Sequence, residues 1–164
     1  MTAVNIREIT TEDLPATEQL LSYTWADTYA SFLSDQIIHK VTELWHNPEL
    51  LKKQIANPHV HFLIALNEDE KIIGLSTAVE NDGGNIVLGR LYIHPESQRQ
   101  GIGADLLQQS INRFPGAKKI HLEVEENDIK GVNFYRKAGF KETGERLENI
   151  DGTKLKVLIM EKDL

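Results

Sequence analysis

The sequence predicts a mixed α/β fold of the α+β kind, in which helices cover both faces of a largely antiparallel central sheet. Three observations carry this expectation. Short strand-like runs recur along the chain, at Val4 to Ile9, His61 to Leu66, Lys71 to Val79, Ile86 to Ile93 and Lys118 to Glu125. Several of them are separated only by turn signals, which makes them antiparallel neighbours. Others are separated by amphipathic stretches, of which Ile102, Leu106, Leu107, Ile111 and Phe114 form the clearest, and such a stripe needs a sheet to cover it.

The elements follow in order. Val4 to Ile9 is a first strand, and Thr10 followed by Asp13 caps a helix that carries Leu14, Leu20 and Leu21 to about Ser22. A second helix starts near Ser34 or Asp35 and carries Ile37, Ile38, Val41, Leu44 and Trp45; Pro48 opens a short third one through Leu50, Leu51 and Ile55. His61 to Leu66 and Lys71 to Val79 form a hairpin around Asn67 to Glu70, and Asp82-Gly83-Gly84-Asn85 reverses the chain into Ile86 to Ile93. Proline at 95 ends that strand. The helix after Gly101 stops at Pro115-Gly116; a strand at 118–125 and a short helix from about Asp128 to Ala138 follow. Phe140 to Leu147 and Lys154 to Met160 close the chain as a hairpin around Ile150 to Thr153. The expected core includes Ile6, Leu63, Ile73, Leu88, Leu91, Ile102, Leu106, Ile120, Leu122, Val124 and Phe140.

At 164 residues, residues 1–164 form one domain. There is no Cys, which removes disulfides, thiolate metal sites and cysteine nucleophiles from consideration, and no metal site is expected. No leader-like segment and no apolar run near ~20 residues is visible, so a cytoplasmic protein without a membrane span is expected. The formal net charge of -7 disfavours nucleic acid and anionic membrane as partners and suits cations, amines included.

Gln98-Arg99-Gln100-Gly101-Ile102-Gly103-Ala104 is the most informative stretch, because it joins a strand to an amphipathic helix. Glycines at 101 and 103 remove the side chains that would hold an anion away from the first turn, where unpaired N–H groups and the helix dipole favour negative charge. Basic residues at 99, 118, 119, 130, 136 and 137 flank this site in sequence. The glycines lie too far along the chain for a dinucleotide-binding unit, and no Lys-Ser or Lys-Thr pair follows them as a phosphate-binding P-loop requires.

The run Leu91-Tyr92-Ile93-His94-Pro95-Glu96-Ser97-Gln98-Arg99-Gln100-Gly101-Ile102-Gly103-Ala104, followed by Asn127 and by Asn133-Phe134-Tyr135-Arg136-Lys137-Ala138-Gly139-Phe140, resembles the GNAT superfamily of N-acetyltransferases. The resemblance spans essentially the whole chain. It implies acetyl-CoA as cofactor, with backbone groups of Leu91, Tyr92 and Ile93 bonding the pantetheine arm, the turn Gln98, Arg99, Gln100, Gly101, Ile102, Gly103 and Ala104 holding the pyrophosphate, and Asn127 meeting the pantetheine portion. It also implies that the strands at 86–93 and 118–125 are parallel neighbours whose ends splay apart.

Tyr135 matches the position that protonates the departing thiolate in that family, and a phenol with an ordinary pKa of roughly 10 is protonated at neutral pH. The amine must lose a proton before it attacks. Glu80, Glu123, Glu125 and His121 are candidates by strand position for that base, with Glu80 and Glu125 alternatively serving as counter-charges; Arg90 stands where many relatives carry an acid, which favours deprotonation through water. Trp25 and Tyr29, in the segment Tyr23 to Tyr29, are the expected acceptor-binding residues. A small-molecule amine is the expected acceptor, and the Trp-x-x-x-Tyr segment is similar to polyamine acetyltransferases; protein N-terminal and xenobiotic amines stay open, as does a non-catalytic acyl-CoA sensor. The final hairpin offers an edge strand for a homodimer.

Overall fold

The structure, a computed structural model, describes residues 3–164. Seven strands form one sheet in the order β1-β2-β3-β4-β5-β7-β6: β1 Asn5–Glu8, β2 Val60–Leu66, β3 Ile72–Glu80, β4 Ile86–Ile93, β5 Lys119–Glu125, β6 Lys141–Ile150 and β7 Thr153–Asp163. Every pairing is antiparallel except β4 with β5. Helices α1 Leu14–Tyr29, α2 Asp35–Trp45 and α3 Pro48–Ala56 cover one face; α4 Ile102–Asn112 and α5 Ile129–Lys137 cover the other. The expected fold class and element order hold.

The core forms where the alternation of the strands meets the helical stripes. Ile120, Leu122 and Val124 of β5 face α4 and α5 with Leu107, Phe114 and Val132, while Phe62 and Ile64 of β2 face α1 and α3 with Leu14, Leu20, Leu21 and Leu51. Of the expected core, Ile6, Ile73 and Leu91 are half-buried at its margin and the others are buried. The closing hairpin turns on Asp151-Gly152, both at positive φ, and its strands run further than the sequence suggests.

Helix α1 is the main departure, continuing seven residues beyond the expected end at Ser22. Its buried stripe includes Thr17 and Thr24, whose hydroxyls bond back to the carbonyls of Asp13 (2.9 Å) and Leu20 (2.8 Å). Two threonines on the buried face hide the stripe from a reading of apolar letters, because each satisfies its hydroxyl within its own helix. The extension carries Trp25 and Tyr29 into a cluster with Leu33, Ile37, Ile38 and Val41.

The entry of α1 is fixed from β1. The Asp13 carboxylate accepts from both terminal nitrogens of Arg7 (2.8 and 3.0 Å) and from the Thr10 amide (2.8 Å). The Arg7 guanidinium, then the Thr10 backbone, hold its pKa at about 2. A carboxylate depressed on folding stabilises the native state at pH values above its unfolded pKa, roughly 3.9, and this stabilisation disappears as pH falls through the folded value. Asp13→Asn is therefore expected to cost about 1 kcal/mol in urea unfolding at pH 7. The gap between variant and parent is expected to close between about pH 4 and about pH 2; a gap that stays constant over that range would exclude the linkage.

Candidate active site

The β4–β5 pairing is short. Ile86, Val87 and Leu88 pair with Ile120, His121 and Leu122, and no pairing of the two strands continues beyond them. A bulge in β4 coincides with this point: Thr77 of β3 opposes Arg90 and Ala78 opposes Leu88, so Gly89 is the extra residue. Gly89 itself is exposed, and a Cβ there would lie 3.0 Å from Thr77 Oγ1, a tight contact that requires the threonine hydroxyl to give by a few tenths of an ångström. Leu88 and Leu91 both pack toward α4 and α5 although two residues separate them, so the bulge shifts the alternation by one. As a result Arg90 and Tyr92 face α1 to α3, where an unbulged strand would have sent Leu91.

The backbone follows the same logic. His94 N–H donates to Ile73 O (2.8 Å), and the register places Tyr92 opposite Leu75 two residues earlier. In an antiparallel ladder alternate residues bond the same neighbour, so Tyr92 spends its N–H and C=O on β3, whereas Leu91 and Ile93 turn theirs into the gap. This corrects the expectation for Tyr92: its backbone is engaged, and only its side chain faces the opening.

Beyond β4 a one-turn 3-10 helix, Pro95–Ser97, leads into the turn before α4. Arg99 (φ 63°) and Gly101 (φ 82°) adopt left-handed backbone, and Gly101 is the N-cap residue of α4. The first helical bond runs from Asp105 N–H to Gly101 O (3.0 Å), which leaves the N–H groups of Ile102, Gly103 and Ala104 without an intrahelical acceptor. Nothing lies within 4 Å of a Cβ built on Gly101, so the cradle is open there; at Gly103 a Cβ would meet the Phe134 ring at 3.4 Å. Gln98 serves the turn rather than an anion, donating from Nε2 to Ile93 O (3.1 Å).

A cleft of about 1240 Å³ joins these features through the sheet. Tyr135 of α5 lines it from the α4 and α5 side; burial, and then the nearby Tyr92 and Asp128, push its phenol well above the usual tyrosine range. Glu125, at the end of β5, has the parity of Glu123 and faces the α1 side. Its carboxylate accepts from the Asn127 amide (2.7 Å) and from Asn127 Nδ2 (3.0 Å), and burial nonetheless raises its pKa. Asp128, raised by burial as well, caps α5 through Gly131 N–H (3.1 Å). The side-chain NH2 of Asn127 is thus engaged with Glu125.

The wall of the cleft on the α1 to α3 side is aromatic. Trp25 stacks on Tyr29 (4.1 Å between centroids, 28°) and donates from Nε1 to Tyr92 Oη (3.1 Å). His46, just past α2, packs edge-on to Tyr92 and beside Trp25. Arg90 is 7% exposed and donates to three neutral acceptors: His46 Nδ1 (3.1 Å), Gln54 Oε1 (2.7 Å) and Trp45 O. Because Arg90 has only donors, Nδ1 of His46 is the acceptor and the ring proton sits on Nε2, which has no partner. Burial and then the Arg90 charge lower the His46 pKa to about 3, so the ring is neutral.

The cleft therefore brings together Trp25, Tyr29, Leu91, Tyr92, Ile93, Gln98, Arg99, Gly101, Ile102, Gly103, Ala104, Glu125, Asn127 and Tyr135. It does not include Gln100, which is exposed on the outside of the turn, or Glu80, which is exposed at the last position of β3 opposite Ile86. Distance along the strand removes Glu80 as a base. Glu123 lines the rim but is held by Arg146 (2.7 and 2.9 Å), and His121 lies outside beside Glu161. Sequence reasoning missed His46 and Gln54, whose positions depend on how α2 and α3 dock. Among the described residues no cluster of three or more His, Asp or Glu is arranged to hold a metal, and no helix is long and apolar enough to cross a membrane.

Residues 28–164 match the family model described as the acetyltransferase (GNAT) domain. The chain is 30% identical over 166 residues to a spermidine N(1)-acetyltransferase of Thermoplasma acidophilum, with 98% of this chain and 97% of the other aligned. Among solved structures it superposes on the PaiA N-acetyltransferase of Thermoplasma acidophilum, crystallised with coenzyme A, with TM-score 0.82 and 27% identity over 99% of each chain. It also shares its fold with the ribosomal-protein-S18-alanine N-acetyltransferase of Escherichia coli, TM-score 0.73 and 18% identity over 98% of this chain and 94% of that one. With the motif, the splayed strands and the family match in agreement, the chain belongs to the GNAT family of acetyltransferases.

Proposed function

We propose that this chain transfers the acetyl group of acetyl-CoA directly to a primary amine, and that the amine is a polyamine. Membership of the family makes it an acetyl-CoA-dependent acetyltransferase. The observation that carries the rest is the β4–β5 gap: it connects the N–H cradle of α4 with an aromatic, carboxylate-bearing wall on the opposite face, and Tyr135 lines the passage.

When bound, acetyl-CoA supplies an activated thioester. The N–H groups at the start of α4 suit its diphosphate, and the gap-facing N–H and C=O of Leu91 with the N–H of Ile93 suit an extended arm that pairs with β4 like an added strand; the Ile93 carbonyl already accepts from Gln98. Glu125 receives the ammonium and accepts its proton, directly or through one water. Its raised pKa brings its proton affinity closer to neutrality than that of an exposed carboxylate. As the new C–N bond forms and the C–S bond breaks, the second proton that the nitrogen sheds passes through the Tyr135 hydroxyl to the sulfur, so that CoA leaves as the thiol and the phenol ends the step protonated. A phenol held well above its usual range is protonated at the start and donates to the developing thiolate.

The polyamine assignment draws support from the spermidine-acetylating relative, from the net charge of -7, and from Glu125 and Asp128 in the cleft, whereas Glu123 and Glu148 at its rim are paired with Arg146. With a panel of spermidine, lysine-ended peptides, free N-terminal peptides and aminoglycosides, thiol release is expected to show at least a tenfold preference in kcat/KM for spermidine. Equal rates across the panel would remove the assignment.

Three variants test the machinery. Gly101→Asn, a side chain that left-handed backbone tolerates and for which there is open space at the cradle, is expected to raise KM for acetyl-CoA about tenfold in a folded protein; unchanged affinity would count against the cradle. Tyr135→Phe is expected to lower kcat by about 10²-fold while coenzyme A affinity, read by calorimetry, holds within a factor of about three. Glu125→Gln is expected to lower kcat to a similar extent and to abolish the rise of activity with pH that reports deprotonation of that carboxyl. A retained rising limb would assign the proton to another group.

A further inference from the structure

An indole N–H can only donate, so in the 3.1 Å contact between Trp25 Nε1 and Tyr92 Oη the phenol oxygen is the acceptor. That contact fixes the direction of the Tyr92 hydroxyl: its own proton must point away from Trp25. The residue's backbone N–H and C=O belong to the β3 ladder. What Tyr92 presents to the cleft is therefore one aligned O–H, located on β4 where the strand has parted from β5.

Its surroundings hold it there. The His46 ring meets the Tyr92 ring edge-on at 6.1 Å and 89°, and Arg90 pins His46 in a single neutral tautomer. Accepting from one donor also polarises the phenol and strengthens its donation to the next partner. Burial raises the Tyr92 pKa, so the group keeps its proton across the working pH range.

We propose that the Tyr92 hydroxyl, aligned by the Trp25 indole, donates a hydrogen bond to the acetyl carbonyl oxygen, as a side-chain complement to the gap-facing N–H groups of Leu91 and Ile93. This rests on the acetyl-transfer function. As the amine nitrogen bonds to the carbonyl carbon, an electron pair moves onto the oxygen, and a preset donor in a site shielded from water stabilises that charge. The pair then returns and the C–S bond breaks. Tyr92 retains its proton throughout, so no further proton acceptor is required.

The test compares the carbonyl stretch of bound acetyl-CoA, labelled with carbon-13 at the carbonyl, in the parent, Tyr92→Phe and Trp25→Phe proteins. Hydrogen bonding lowers that frequency. The parent is expected to show the lowest band, Tyr92→Phe a band shifted back toward the free value, and Trp25→Phe an intermediate one. With Tyr92→Phe, kcat is expected to fall by about 10²-fold, while the calorimetric Kd for coenzyme A changes less than threefold. The double variant is expected to show the same carbonyl band as Tyr92→Phe alone, because Trp25 acts on the carbonyl through the phenol, whatever its own contact with the acceptor does to KM for the amine. An identical band in parent and Tyr92→Phe, or a kcat within twofold of the parent, overturns the role. Should Tyr92→Phe not fold, an unshifted band in Trp25→Phe does the same. Absence of any acetyl-CoA binding by the parent would overturn acetyl transfer itself, an outcome distinct from either.

Discussion

A single residue that does not fit the ladder decides where this molecule opens. Gly89 is one more residue than β3 can match, and the surplus does two things at once. It bends β4 away from β5 after only three paired positions, which exposes main-chain groups that a continuous parallel sheet would have consumed. It also reverses the parity of the strand end, so that Arg90 and Tyr92 reach the helical insert and Leu91 and Ile93 complete the core under α4. Glycine at 89 also keeps the bulge clear of Thr77, whose hydroxyl a Cβ would approach to 3.0 Å. Without that slip, the β4 edge and the aromatic wall would not face the same cleft.

Burial then sets the protonation of the cleft. Tyr29, Tyr92 and Tyr135 are all pushed upward, Glu125 and Asp128 are pushed toward their neutral forms, and His46 is kept neutral. The phenols are thereby committed as donors, and the carboxyls gain proton affinity. Arg90 is the exception, a buried guanidinium surrounded by three neutral acceptors, two from the adjacent Trp45 and His46 and one from Gln54. Its donors tie β4 just after the bulge to the ends of α2 and α3, so the loop geometry on the acceptor side is referenced to the same strand that presents the gap. Removing a single acceptor from such a set would leave a buried donor unmatched, which is costlier than losing an exposed bond.

What was legible in the sequence followed from short-range constraints. The cradle was readable because Gly101 at the N-cap and the apolar stripe from Ile102 to Phe114 are local facts, and the closing hairpin because Asp151-Gly152 suits only a tight reversal. The bulge was not, since the apolar residues on both sides of Gly89-Arg90 leave the face of each letter undecided; only the register against β3 shows that Gly89 is surplus. The length of α1 was hidden by Thr17 and Thr24, polar letters in buried places. Glu80 illustrates the converse limit. Its strand and parity made it a fair candidate, but position along a strand matters as much as face, and it lies at the end of β3 that meets the start of β4.

The topology also constrains how two reactants can meet. α4 and α5 lie on one face and α1 to α3 on the other, and the sheet between them is closed by paired strands except where β4 and β5 part. In the proposed reaction, a donor on the α4 N-terminus and an acceptor against Trp25 and Tyr29 would therefore approach through one aperture from opposite sides. Tyr135 comes to that aperture from the α5 face and Tyr92 from the α1 face, which is the arrangement that the proposed roles at the leaving atom and at the carbonyl oxygen require. Such a division needs no nucleophilic side chain, because the opposed approach itself brings the amine onto the thioester carbon.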